Sequence, residues 1–268
     1  MAKPLASFRY MTFDVVGTLI DFEAGLVAAL EAVAGDQDVR LDGEEALALY
    51  RAARYHPEAL RFPDDLERVY GVIAPQLGLA ADPLSAARLR ASVSDWKPFA
   101  DSVAALAELR RSHRLIAMTN ARRWAFELFD AALGRPFHAA FTVDDTGTEK
   151  PDPAFFRTVF AFVESEGGQA GDILHVAQSQ YHDIGVSRRL GMTNCWIERR
   201  HDRPGYGGTI EPAERTRPDS TSPRWPRSPG PARTRPPDVA APTSPQAAAR
   251  PRGRQEQHEQ EPTNEDRT

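Results

Sequence analysis

The sequence predicts an α/β protein: a three-layer, Rossmann-like core built on a parallel sheet, with an inserted helical cap and a disordered C-terminal tail. Three observations predict it. Short apolar runs alternate with longer amphipathic stretches, the pattern of strands joined by crossover helices. That rhythm breaks once, from about Glu23 to Trp96, where the sequence is helix-like throughout. Apolar residues then stop abruptly, with no Leu, Ile, Phe or Tyr after Ile210.

The first run, residues 9–16, is read as strand one, and residues 115–119, 139–143, 173–177 and 194–197 supply four more. Between the last four lie helical patterns at 123–133, 153–165 and 183–190. The interrupting interval holds helix-like segments at 26–33, 44–54, 63–77 and 83–93. It is too long for a crossover and too helical to supply strands. A cap, residues 23–96, is therefore expected within a core of residues 1–22 and 97–214.

Residues 215–268 contain 11 of the 22 prolines, an Arg-rich first part and an acidic end. Such a segment buries too little apolar surface to offset the entropy of ordering it, so disorder is expected. Its basic stretch reads as a solvated tail, not as a site for a specific nucleic acid.

One cysteine, Cys195, excludes an intramolecular disulfide and fits a reducing compartment. It follows Gly191-Met-Thr-Asn in an apolar run and reads as a small buried hydrophobe. No apolar stretch approaches the ~20 residues of a membrane span, and the N-terminus lacks the apolar run of a signal peptide. A soluble cytoplasmic protein with no membrane partner is expected. Only Lys3, Lys97 and Lys150 are lysines among 33 Lys+Arg, so a lysine within a motif marks a place for a compact ammonium.

Ligands of open parallel sheets bind beyond the carboxyl ends of the strands. Four polar constellations fall there: Asp14 through Thr18, Thr119-Asn120, Lys150-Pro151, and Gln178 through Asp183. Asp14 leaves an apolar strand and meets Gly17, which permits a tight turn. Read alone, Asp14 also suits a turn or helix cap, Lys150 a surface, and Asp183 the N-cap of the helix that follows.

In this order the constellations resemble the four motifs of the haloacid-dehalogenase-like hydrolase superfamily. The first is Asp14-Val-Val-Gly-Thr18-Leu19, and the second is Thr119-Asn120. Lys150-Pro151-Asp152-Pro153 is similar to the third, and residues 175–183, ending at Asp183, to the fourth. The resemblance covers about residues 9–212 and includes the return from the cap at residues 96–101. It implies that Asp14 is a nucleophile forming an aspartyl ester that water then hydrolyses. Lys150 would neutralise charge beside Asp14, and Asp183 would orient Lys150 or the water. Thr18, Thr119, Asn120 and Ser179 would bind a small anionic substrate.

Two departures narrow the resemblance. Val16 stands where phosphatases of the superfamily carry a second Asp, the acid that protonates a poor alkoxide leaving group. Gln178 stands where a Mg²⁺-binding Asp is usual. Halide needs no proton, and a 2-haloacid needs no metal to approach Asp14. The chain thus resembles the type II 2-haloacid dehalogenases, which implies no cofactor, no metal and a possible homodimer. A cap arginine is expected for substrate and halide, and Arg51 is chosen over Arg54. The alternatives are a phosphatase using Mg²⁺ and a catalytically silent binding protein. Finally, Arg217-Pro-Asp219 resembles the lead-in to a last strand that the tail replaces. An exposed sheet edge, with marginal stability or self-association, would follow.

Overall fold

The computed structural model describes residues 3–222. Its strands are β1 (Tyr10–Phe13), β2 (Arg114–Thr119), β3 (Ala139–Thr142), β4 (Ile173–Ala177), β5 (Thr193–Ile197) and β6 (Ser220–Ser222). They form one parallel sheet in the order β3-β2-β1-β4-β5-β6. The side-chain alternation of a strand divides the apolar residues between two layers. On one face Tyr10, Ile116, Met118 and Ile173 meet a helix layer. On the other, Met11, Phe13, Leu115, Ala117, Leu174 and Val176 join the larger core. Burial of both faces explains why the central strands β1, β2 and β4 read as continuous apolar runs.

Between β1 and β2 lie α1 (Phe22–Asp36), α2 (Gly43–Arg54), α3 (Leu66–Ile73) and α4 (Pro83–Ala91). Asp21, Asp42 and Asp82 cap α1, α2 and α4 by accepting backbone N–H bonds. The four helices pack on one another, α3 lying against both α2 and α4. Trp96 closes the insertion. It is buried, and its ring stands 5.8–6.3 Å from those of Phe22, Phe62 and Phe129. A Cβ on Gly25 would come within 2.4 Å of that ring, so only glycine lets α1 approach it.

The rest of the helix layer is α5 (Ser102–Leu109), α6 (Arg123–Ala132), the single turn α7 (Val143–Thr146), α8 (Pro153–Ser165) and α9 (Gly185–Arg189). Pro153 opens α8 behind an Asp152 cap, and Phe155, Phe156, Val159 and Val163 form its buried stripe. A π-turn, Gln180–Ile184, precedes α9 where a helix from 183 is predicted. Cys195 is half-buried against the larger core, and burial pushes its thiol upward. No helix among the described residues is long and apolar enough to cross a membrane.

Two expectations about the C-terminus are corrected. Residues 215–222 are part of the fold: β6 pairs with β5 from Cys195↔Ser220 to Ile197↔Ser222. Asp219 locks this lead-in, accepting the Asn194 N–H at 3.1 Å, donating its own N–H to Asn194 Oδ1 at 3.2 Å and pairing with Arg188. A ladder is made by backbone groups, so the Ser-Thr-Ser sequence adds an edge strand without apolar side chains. The sheet edge at β5 is therefore covered. The remainder of the predicted tail, residues 223–268, and its predicted lack of a nucleic-acid site lie outside the described residues.

Candidate active site

The chain runs from β1 to β3 in one direction and from β4 to β6 in the other, so the sheet's switch point falls between β1 and β4. A crevice opens there, beyond the strand ends. Asp14 follows β1, and its N–H donates to Val176 of β4 at 3.1 Å. Gly17, at φ +91°, turns the chain so that Thr18 Oγ1 donates to Asp14 Oδ2 at 2.6 Å. The same hydroxyl accepts the Gln178 N–H at 2.9 Å. Its only proton is thus committed to Asp14.

Lys150 lies 2% exposed. Its Nζ donates to Asp14 Oδ1 at 2.9 Å, Asp183 Oδ1 at 2.6 Å and the Met118 carbonyl at 2.9 Å. These bonds use all three ammonium protons. Asp183 Oδ1 also faces His175 Nε2 at 3.2 Å, while His175 Nδ1 meets Thr12 Oγ1 at 2.9 Å. The Thr12↔His175 register of β1 and β4 builds that contact on the α8 side of the sheet, where Phe156 meets the imidazole edge-on.

Charge separates the two carboxylates. Burial pushes Asp14 up, and the nearby Asp183 adds to this against the opposing pull of Lys150 and Thr18. Burial also acts on Asp183, but Lys150 and His175 overcome it and hold that carboxyl down at about 2. Burial opposes the ammonium of Lys150, yet Asp14 and Asp183 hold its pKa above the ordinary lysine value. The result is an ionised Asp183, a cationic Lys150 and a nucleophile candidate of raised basicity.

The cavity before these groups measures about 600 Å³ and is lined from both the core and the helical insertion. Asp14, Thr119, Asn120, Lys150, Ser179 and Asp183 line it, as do Tyr50, Arg54, Tyr55 and Phe62. Thr18 stands behind Asp14 and is fully buried. Asn120 is partly committed elsewhere: its Nδ2 donates to the Lys150 carbonyl at 2.9 Å and its Oδ1 accepts the Lys150 N–H at 2.7 Å. Thr119 Oγ1 accepts from Ala121 N at 3.2 Å. Ser179 caps the π-turn, accepting His182 N–H at 2.9 Å, and its hydroxyl faces His182 Nδ1 at 3.0 Å. Asp183 leaves the capping to Ser179.

The arginine expectation shifts by one helical turn. Arg51 bonds the Gly207 carbonyl and is not among the residues lining the cavity, whereas Arg54 lines it. Arg54 donates to Leu60 O at 3.0 Å and to the fully buried Asp65 at 2.9 Å. Residues passed over at the sequence level also gather here. His175 was hidden within an apolar strand pattern. His182 bridges Ser179 to Tyr55 Oη at 3.3 Å, and burial pushes its pKa down to about 4. Val16 and Gln178 both line the cavity, as does one carboxylate outside the motifs, Glu149.

A family model described as haloacid dehalogenase-like hydrolase matches residues 8–176. The chain belongs to this family. Among curated relatives of this haloacid dehalogenase-like hydrolase is 5-amino-6-(5-phospho-D-ribitylamino)uracil phosphatase YigB of Escherichia coli K12. It is 26% identical over 78% of this chain and 89% of its own length. The HAD-hydrolase YfnB of Bacillus subtilis 168 is 24% identical over 71% and 84%. Solved structures share the fold at lower identity. YfnB bound to magnesium aligns at TM-score 0.65 and 18% identity, covering 81% of this chain and 95% of that one. The L-2-haloacid dehalogenase from Xanthobacter autotrophicus with chloropropionic acid covalently bound aligns at 0.64 and 19%, over 81% and 95%.

Proposed function

We propose that this hydrolase cleaves the carbon–halogen bond of a 2-haloacid without a metal, through an ester on Asp14. The observation that carries the reading is the Lys150 bridge between Asp14 and Asp183, with Val16 and Gln178 in place of the two other carboxylates. A hard divalent cation needs several oxygen ligands. Here the facing Oδ1 atoms of Asp14 and Asp183 already share an ammonium, and Gln178 Oε1 lies 3.4 Å from Thr209 Oγ1. Among the described residues no three His, Cys, Asp or Glu side chains form a metal cluster. This donor set does not suit Mg²⁺.

In the first step an Asp14 carboxylate oxygen attacks C2, the carbon–halogen bond breaks, and halide leaves with the bonding pair. No proton is needed, which agrees with Val16. In the second, water adds to the Asp14 ester carbonyl and the 2-hydroxyacid leaves. One proton is released overall. Asp183, strongly acidic, orients the water better than it removes its proton; among the described residues no donor occupies its Oδ2. Asp14 itself, with its raised pKa, can hold the proton as it regains its carboxyl.

The test is halide release in EDTA, abolished in Asp14→Asn. In single turnover in ¹⁸O-water, label would enter Asp14 before it appears in product. Absence of both results across a haloacid panel overturns the reading. A second reading has specific support: the cavity far exceeds a three-carbon acid, and the Escherichia coli relative is named a phosphatase. Mg²⁺-dependent phosphate release would establish it.

A further inference from the structure

A hydrogen-bonded chain that the chemistry of Asp14 does not use runs along the wall of the catalytic cavity. Ser179 Oγ faces His182 Nδ1 at 3.0 Å, and His182 Nε2 faces Tyr55 Oη at 3.3 Å. All three residues line the cavity, Ser179 and His182 from the turn after β4 and Tyr55 from the end of α2. The chain therefore joins the core to the helical insertion. Rings hold it in place: Tyr181 meets the imidazole edge-on at 4.9 Å, and the Tyr55 ring stacks on it at 6.3 Å.

The protons of this chain can be counted. Burial, joined by Lys150 and Arg54, outweighs Asp183 and keeps His182 neutral, its pKa pushed down to about 4. A neutral imidazole has one N–H and one acceptor nitrogen, and each hydroxyl brings one proton. Three protons serve two junctions, so one O–H is left over. If Nδ1 carries the ring proton, the spare O–H belongs to Ser179. If Nε2 carries it, the spare O–H belongs to Tyr55.

Burial decides between the two. Ser179 is 5% exposed, and its oxygen already accepts the His182 N–H at 2.9 Å. Among the described residues the acceptor in place for its own proton is Nδ1. A buried donor is costly to leave unmet. Tyr55 is 47% exposed, and its proton is free to turn into the cavity. Ser179 therefore donates to Nδ1, Nε2–H donates to Tyr55 Oη, and the phenol proton points away from the imidazole. Arg54, the preceding residue, lines the same cavity and adds positive charge beside it.

We propose that Tyr55 binds substrate, its hydroxyl donating to an anionic oxygen, and that Ser179 and His182 are positioning residues that fix the direction of this donation. The carboxylate of a 2-haloacid and the phosphoryl group of a phosphate ester share this chemistry. Ser179, expected from the sequence to bind substrate, acts through His182 instead. The inference rests on this cavity holding the substrate, and not on which bond Asp14 attacks.

Long-range ¹H–¹⁵N correlation spectra of the full chain at pH 7 test it, with the His182 signals identified by their loss in His182→Gln. The Nε2–H tautomer is expected, and the Nδ1–H tautomer would overturn the inference. The same spectra are followed during titration with 2-hydroxypropionate and with inorganic phosphate, products of the two readings of the cavity. At least one should bind, and about tenfold or more weakly in Tyr55→Phe, the loss of one hydrogen bond to a charged group. Tyr55→Phe keeps the ring and its stacking, so it should fold as the parent does, which circular dichroism checks. Ser179→Ala should weaken binding by less and let the Nδ1–H tautomer appear; an unchanged tautomer removes its positioning role. Equal affinity in Tyr55→Phe, or binding of neither anion, overturns the proposal. Halide release by Asp14 is measured separately, so failure here leaves that reading intact.

Discussion

Asn120 holds Lys150 by its backbone: the amide donates to the Lys150 carbonyl at 2.9 Å and accepts the Lys150 N–H at 2.7 Å. The residue after β2 thereby fixes the loop that places the ammonium. Both halves of the clasp are needed, because Asp supplies no donor for the carbonyl. Asn120→Asp and Asn120→Ala should each lower kcat by about 10²-fold, the cost of an ångström of misplacement, with a smaller change in KM. Wild-type kcat in Asn120→Asp would remove this role.

Lys150 satisfies three acceptors with three protons, in a space that excludes solvent. Lys150→Met leaves two facing carboxylates without a counter-charge, and breaking a buried ion pair in this way costs about 3–5 kcal/mol. A guanidinium is larger and planar, so Lys150→Arg should not restore activity. Urea unfolding at pH 7 and turnover of the best substrate check both. An active Lys150→Arg would contradict the three-point seat.

How far this centre was legible depends on what kind of signal each residue leaves. Asp14 stands out because it ends an apolar strand run, and Lys150 and Asp183 because they fall in polar motifs that follow later strands in a recognisable order. His175 does not, since it occupies a buried strand position and becomes polar machinery only through Thr12 on the neighbouring strand. Pairing between strands 163 residues apart leaves no local trace. Arg51 and Arg54 are one turn apart on α2, and only the fold, through Gly207, tells them apart. The same limit hid β6, whose Ser-Thr-Ser carries no periodicity and sits in Pro- and Arg-rich sequence.

The split between the carboxylates gives a pH prediction with a definite sign. The pKa of Asp14 is raised in the fold, so its ionisation costs stability as pH rises toward and through that raised value. Asp183 is depressed to about 2, so its contribution is present above the ordinary carboxylate range and is lost as pH falls through about 2. Asp14→Asn should therefore be more stable than the parent at pH 7, and the gap should close in acid. Urea midpoints at several pH values measure it. A variant less stable than the parent at neutral pH would reverse the sign.

His182 supplies a separate acid-side effect. Burial depresses it to about 4, so the folded protein resists its protonation while the unfolded chain accepts it near pH 6.5. The parent should lose stability as pH falls from about 6.5 toward 4, and His182→Gln should lose less over that interval. Thermal unfolding across this range checks it. Parallel curves for the two proteins would show that the imidazole is not desolvated.

Arg51 and Arg54 separate substrate binding from loop attachment. Arg54 lines the cavity, and its partner Asp65 keeps a second arginine, Arg68, at 2.6 Å if Arg54 is removed. Arg54→Gln should therefore fold and should raise KM for an anionic substrate about tenfold or more, the worth of one charge-assisted hydrogen bond. Arg51 instead grips the carbonyl of Gly207, next to the cavity-lining Gly208. Its replacement by Gln should loosen residues 205–209, seen as faster amide exchange there, with a smaller rise in KM. A larger KM effect at Arg51 than at Arg54 would return the substrate contact to the residue first expected to make it.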